Sequence, residues 1–203
     1  MEREQLEHLI RAIGAILSIK EWIVVGSQSI LGEIPDAPAE LKLSMEADLY
    51  SRLHPDRSDL IEGVIGEDSS FHVMFGYYAR GVSERTATLP KGWEGRLIKI
   101  ENDNTNGIRA YCIAPHDMAA SKLYANREKD CVYLGRMIRY GIMDEDILRR
   151  HIDLMPVEDE QKAVLYARSE RLWRETRLKP AYTNLGAQEQ MTCSFLIERH
   201  PDG

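Results

Sequence analysis

Apolar residues recur at helical spacing at the start of the chain. Leu6, Leu9, Ile10, Ile13, Ile16 and Leu17 are separated by Glu and Arg, which predicts an amphipathic helix over residues 3–18 with one stripe on a core. The period then changes. Trp22-Ile-Val-Val25 is a continuous apolar run ending at Gly26-Ser27. It reads as a buried strand that breaks into a helix running from Ser27 to about Gly32. Two prolines in Ile34-Pro-Asp-Ala-Pro38 demand a loop. Leu43, Met45, Ala47 and Leu49 alternate with polar neighbours, so residues 41–53 read as a second strand with those four side chains on its buried face. Arg57 to Ile65 reads as a helix with Ser58 as its cap and Gly66 as its stop.

Residues 71–82 are rich in aromatic side chains and read as a strand. A turn at 92–95, a strand over 96–100, a hairpin turn at 102–107 and a last strand over 108–113 follow. From Pro115 the pattern is helical throughout. A long helix over 115–140 opens on Pro115 and Asp117 and ends at Gly141, and helices over 144–155 and 158–176 come after it. This order predicts an α+β fold, a mixed sheet flanked by helices with a C-terminal helical cap. The expected organisation is a sheet domain over residues 1–114, a helical extension over 115–180 that completes the site, and a loosely ordered tail over 181–203.

Composition narrows the picture. The chain of 203 residues is 43% hydrophobic and 29% charged, enough to bury a core without disulfides or metals. Cys112, Cys131 and Cys193 show no C-x-x-C spacing, as expected of reduced thiols in a cytoplasmic protein. No secretory pattern opens the sequence, and no apolar run approaches the roughly 18 residues of a membrane span. The net charge of −7 argues against general affinity for nucleic acid. The acidity lies mostly in residues 1–115, with 12 basic and 18 acidic side chains, against 14 and 15 in residues 116–203.

Three groups of residues carry candidate chemistry. At Gly26-Ser27 a strand-to-helix turn would aim backbone N–H groups and a helix dipole at one spot, which suits a phosphate; the same pair serves equally as an ordinary helix start. Glu46 and Asp48, two apart on a strand, share one face and offer hard oxygens to Mg²⁺, or else form a solvent face. On the helix from Pro115, Lys122, Asn126 and Asp130 climb one flank at i, i+4 and i+8, with Arg127 near Asp130. They would steady a triphosphate and add a carboxylate, or form a solvated, ion-paired face. His72, with Glu67 or Asp68 nearby, reads as a half-buried strand histidine. Arg168, Arg171, Arg174 and Arg177, around Trp173, form either a basic stripe for RNA phosphates or an exposed face paired with Glu170 and Glu175.

Together these groups resemble a family. Gly26-Ser27 followed by Glu46-x-Asp48 resembles the signature of the nucleotidyltransferase superfamily related to DNA polymerase beta. The stretch from Asp117 through Lys122 and Arg127 to Lys129-Asp130 is similar to the downstream motifs of its abortive-infection toxin branch. With Phe75-Gly-Tyr-Tyr78, these segments resemble an uncharacterised bacterial nucleotidyltransferase-like family over roughly residues 20–135. Two features depart from the superfamily pattern: Glu46 stands where Asp is usual, and the spacer from Gln28 to Met45 is 18 residues long. The resemblance implies binding of a nucleoside triphosphate at Gly26, Ser27, Lys122 and Arg127. It also implies Mg²⁺ on Glu46, Asp48 and Asp130, and catalysis by Asp48, Glu46, Lys122 and Asp130. The acceptor would be a hydroxyl on RNA, protein or a small molecule, with a toxin–antitoxin role as one setting. The rival expectation is a catalytically silent nucleotidyltransferase fold that binds or regulates.

Overall fold

Leu6, Leu9, Ile10 and Ile13 bury the predicted stripe of α1 (Arg3–Leu17). The chain then enters β1 (Glu21–Val25), whose residues from Trp22 onward are all buried. Trp22 satisfies its indole N–H by donating to Ile19 O at 3.2 Å. Residues 1–178 are described by this computed structural model; Cys193 and the predicted tail lie outside the described residues.

The segment after β1 is less helical than predicted. A 3₁₀ turn, Ser27–Ser29, runs into the single-turn α2 (Ile30–Glu33). Few peptide dipoles align in so short a piece, so little of the expected macrodipole exists. The second strand is also shorter. β2 spans Glu46–Tyr50, while Leu43 and Met45 are 66% and 54% exposed rather than buried. Pairing sets this limit: Val25, the last residue of β1, lies opposite Asp48, and β3 (Tyr78–Gly81) meets β2 only from Glu46 onward.

α3 (Leu60–Ile65) starts after Asp59 with no side-chain cap from Asp59 or from the expected Ser58, and ends at Gly66 as expected. The predicted strand over 71–82 divides. Its first half is α4 (Ser70–Phe75), because Ser69 caps the turn by accepting the His72 N–H at 3.1 Å. Gly76, at φ 76°, stops the helix, and β3 begins two residues later. β4 (Ile98–Ile100) and β5 (Arg109–Cys112) form the predicted antiparallel pair. A capping box between Asn102 and Thr105 shapes the turn between them.

The five strands make one mixed sheet in the order β3-β2-β1-β5-β4, with β1 parallel to β5 and β2 parallel to β3. Ala47, Leu49, Ala79, Ala110 and Cys112 point to its buried face. The helices approach that face closely. A β-carbon built on Gly32 of α2 would lie 2.5 Å from Cys112 Cβ, and one on Gly14 of α1 would lie 2.6 Å from the Ile108 side chain. Glu46 and Asp48 point the other way.

The expected long helix over 115–140 is two helices, α5 (Pro115–Ala125) and α6 (Glu128–Arg139). Asn126 breaks it by adopting the left-handed conformation at φ 51°, which Asn tolerates better than most residues. α7 (Glu145–Asp153) and α8 (Asp159–Leu178) complete the helical layer. The buried Asp117 of α5 accepts two bonds from Arg96, at 2.7 and 2.8 Å, and lies 3.6 Å from His151 of α7. That carboxylate ties the loop before β4 to two helices.

Candidate active site

β1 delivers its last residue, Val25, directly beside Asp48 of β2. The chain turns sharply at Gly26, with φ 71° and ψ −161°, a conformation open to glycine. Glycine is required for a second reason. A β-carbon there would lie 2.5 Å from Asp48 Oδ2, so the turn and the carboxylate fill one another's space. Period two puts Glu46 on the same face as Asp48. The Asp48 carboxyl is pushed up to about 6 by burial first and by Glu46 beside it second.

The parallel pairing with β3 sets two donors opposite these acids. Tyr78 faces Glu46 and Arg80 faces Asp48 in the register. The Tyr78 hydroxyl donates to Glu46 Oε2 at 3.1 Å, and Arg80 lies 3.9 Å from Glu46 Oε1. The opposite wall comes from the α5–α6 junction. Asp130 is fully buried, and its two oxygens are taken by Lys122 Nζ at 2.9 Å and Arg127 Nε at 2.6 Å. Burial alone would raise the Asp130 carboxyl, but the bonds and charges of Arg127 and Lys122 outweigh it and hold it below the usual carboxylate range. Tyr133 of α6 closes the corner. Its hydroxyl donates to Ser27 O at 2.9 Å, and the Lys122 ammonium sits 4.8 Å from its ring centroid.

A cleft of about 730 Å³ lies between these walls, within the range of small-molecule and cofactor sites. Gly26, Ser27, Glu46 and Asp48 line one side. Lys122, Arg127 and Asp130 line the other, with Lys129 and Arg136 at the rim. All the residues singled out in the sequence as nucleotide-binding, catalytic or metal-ligating therefore border one space. Asn126 instead serves the break that joins α5 to α6. Glu46, Asp48 and Asp130 do not gather as a three-carboxylate set. Among the described residues, no group of three or more His, Cys, Asp or Glu side chains is placed to hold a metal ion.

Residues 4–179 match the family described as "nucleotidyltransferase of unknown function (DUF6036)". The chain belongs to that family. No curated protein and no solved structure matches the chain. The mixed sheet with its flanking helices is the α+β architecture expected of this nucleotidyltransferase-like family. Among the described residues, no helix is long and apolar enough to cross a membrane.

Other candidates sit elsewhere. His72 is on α4, not on a strand; its Nδ1 accepts the Asp68 N–H at 3.0 Å and its ring lies 4.7 Å from that of Tyr78. Arg168 donates to the carbonyls of Leu123 and Tyr124 at the end of α5, and Arg177 pairs with Glu145 at 3.1 Å. These two arginines hold the helical layer together. Three lining residues escaped the sequence reading. Arg80 follows Tyr78 at period two and was findable once β3 was set against β2. Tyr133 lies one turn after Asp130 on the same flank of α6. Arg136, which lies 3.4 Å from Glu40, left no comparable signal.

Proposed function

We propose that this family member binds a nucleoside triphosphate with Mg²⁺ and transfers its nucleotidyl group to an acceptor hydroxyl. The observation that carries this reading is the seating of Asp48 against Gly26. It puts a carboxylate pair at a glycine turn that opens on a cleft walled by Lys122 and Arg127.

The residues suit the metal. Glu46 and Asp48 are hard oxygen donors, and burial first and the neighbouring Glu46 second push the Asp48 carboxyl upward; a divalent cation offsets both. Two carboxylates leave further positions for water and phosphate oxygens, as Mg²⁺ prefers. What Mg²⁺ supplies when held there is neutralisation of charge on the triphosphate and on the attacking oxygen. The chain's own groups do the rest. Gly26 lets a phosphate reach the backbone, Lys122 and Arg127 bind the β- and γ-phosphates, and the loop after β3 leaves room for the acceptor. The acceptor oxygen bonds to the α-phosphorus as the bond to pyrophosphate breaks, and the hydroxyl proton is released to water. Positioning and charge stabilisation supply the rate. In this reading Asp130 steadies Lys122 and Arg127.

One observation favours a silent binding module instead: Lys122 and Arg127 are both already bound by Asp130. The deciding experiment follows pyrophosphate release and label transfer from each ribonucleoside triphosphate, labelled at the α-phosphate, with RNA, protein or small-molecule acceptors. Release that is lost in Asp48→Ala supports the enzyme. Binding without release from any of them supports the silent module.

A further inference from the structure

Glu46 is one methylene longer than Asp48, so its carboxylate sweeps a wider volume and must be held if it is to face a metal from a fixed place. Both of its oxygens are in fact addressed from β3. Oε2 accepts the Tyr78 hydroxyl at 3.1 Å, and Oε1 faces Arg80 at 3.9 Å. The sheet makes this contact repeatable, since Tyr78 and Glu46 are direct register partners in the parallel β2–β3 pair. Tyr78 is itself held. Its ring packs on His72, whose own place is fixed by the Ser69 cap and by the bond from the Asp68 N–H.

We propose that Tyr78 is a positioning residue that pins the Glu46 carboxylate in the orientation needed for the metal site. Without the hydroxyl, Glu46 spreads over several rotamers, and the metal must order it at each binding event. Arg80 alone does not replace it, because its side chain is 58% exposed and is shared with Glu62 at 4.0 Å. The inference rests on the nucleotidyltransferase reading above and goes beyond it by assigning a role to a residue outside the metal and phosphate contacts.

A double-mutant cycle tests it, using the whole chain and calorimetry with Mn²⁺ alone and with Mn²⁺ plus each ribonucleoside triphosphate. Tyr78→Phe should weaken Mn²⁺ binding by about five- to tenfold in the wild-type background, within the range of an ordinary intramolecular hydrogen bond. In the Glu46→Asp background the shorter carboxylate no longer reaches the hydroxyl, and the same change should cost less than about twofold. Equal losses in both backgrounds, or no loss in the wild type, overturn the inference and leave the functional reading standing. A fall in melting temperature that tracks the affinity loss in both backgrounds marks a merely structural tyrosine and also overturns it. If the wild-type chain binds neither Mn²⁺ nor Mn²⁺ with nucleotide, both the inference and the functional reading fall.

Discussion

Lys122 and Asp130 stand eight residues apart and yet form a 2.9 Å ion pair. On an unbroken helix they would be separated by about 12 Å of rise, so the pair exists because Asn126 turns the chain. It carries Arg127 with it and puts two cations on one wall of the cleft. Asp130→Ala should therefore cost about 3 kcal/mol of folding stability, since it leaves Lys122 half-buried without its partner. The Asp130 carboxyl is held below its ordinary value, so its contribution is present above an unfolded pKa of about 3.9 and is lost as pH falls below it. Urea unfolding of wild type and variant at pH 7 and pH 3 checks both points, with the difference shrinking at the lower pH.

Gly26 admits no side chain. Gly26→Ala would place a β-carbon 2.5 Å from Asp48 Oδ2 and impose a positive φ on alanine. We expect a loss of about 2 kcal/mol in stability. Nucleotide binding should fall further than the stability loss explains, because the displaced carboxylate is the one proposed to hold the metal. Thermal melting and calorimetry on the same sample separate the two effects.

Asp48 carries the opposite linkage to Asp130. Its carboxyl is raised to about 6 by burial and by Glu46, so the folded chain binds the proton more tightly than the unfolded chain. Its stabilising contribution is present below an unfolded pKa of about 3.9, declines as pH rises to about 6, and is gone above that. Asp48→Asn mimics the protonated form. At pH 7.5 it should stabilise the unliganded chain by about 1 to 2 kcal/mol, less than full conversion of the shift because the cleft is open to water. At pH 4 the gain should vanish. Binding of Mg²⁺ by the wild type should weaken as pH drops through about 6.

Arg96 and Asp117 make another buried charge contact, with Asp117 shut off from solvent. Removing the cation in Arg96→Ala strands a carboxylate between the loop and α5, and should cost about 3 kcal/mol. Adding Asp117→Asn to that variant should recover part of the loss, since the unpaired charge is gone. Chemical denaturation of the two variants decides this.

Much of this molecule was legible from periodicity. The stripe of α1, the buried run of β1 and the hairpin between β4 and β5 follow directly from local pattern. So does the helical C-terminal part. Misplaced elements were those that long-range pairing or a single cap decides. Leu43 and Met45 alternate as a strand should, but among the described residues the register pairing of β2 starts at Glu46, with only the Tyr78 N–H reaching Met45 O. Residues 71–75 have strand-like side chains, yet Ser69 caps them into a helix. Gly26, Asp48, Lys122 and Asp130 could be named in advance because, taken together with the downstream helix, they resemble a family signature, although each group alone reads equally as ordinary structure. Their joint border on one cleft could not. Neither could Tyr78 and Tyr133, whose roles depend on sheet register and on where α5 breaks.

The central claim is that Asp48, seated on Gly26, belongs to a site for a metal–nucleotide complex. Titration calorimetry of the wild type and Asp48→Ala with each ribonucleoside triphosphate in Mg²⁺ tests it most directly. The account predicts saturable heat with at least one nucleotide, dependent on Mg²⁺ and lost or weakened by at least about tenfold in the variant. Absence of heat with every nucleotide, or equal binding by the variant, would contradict it.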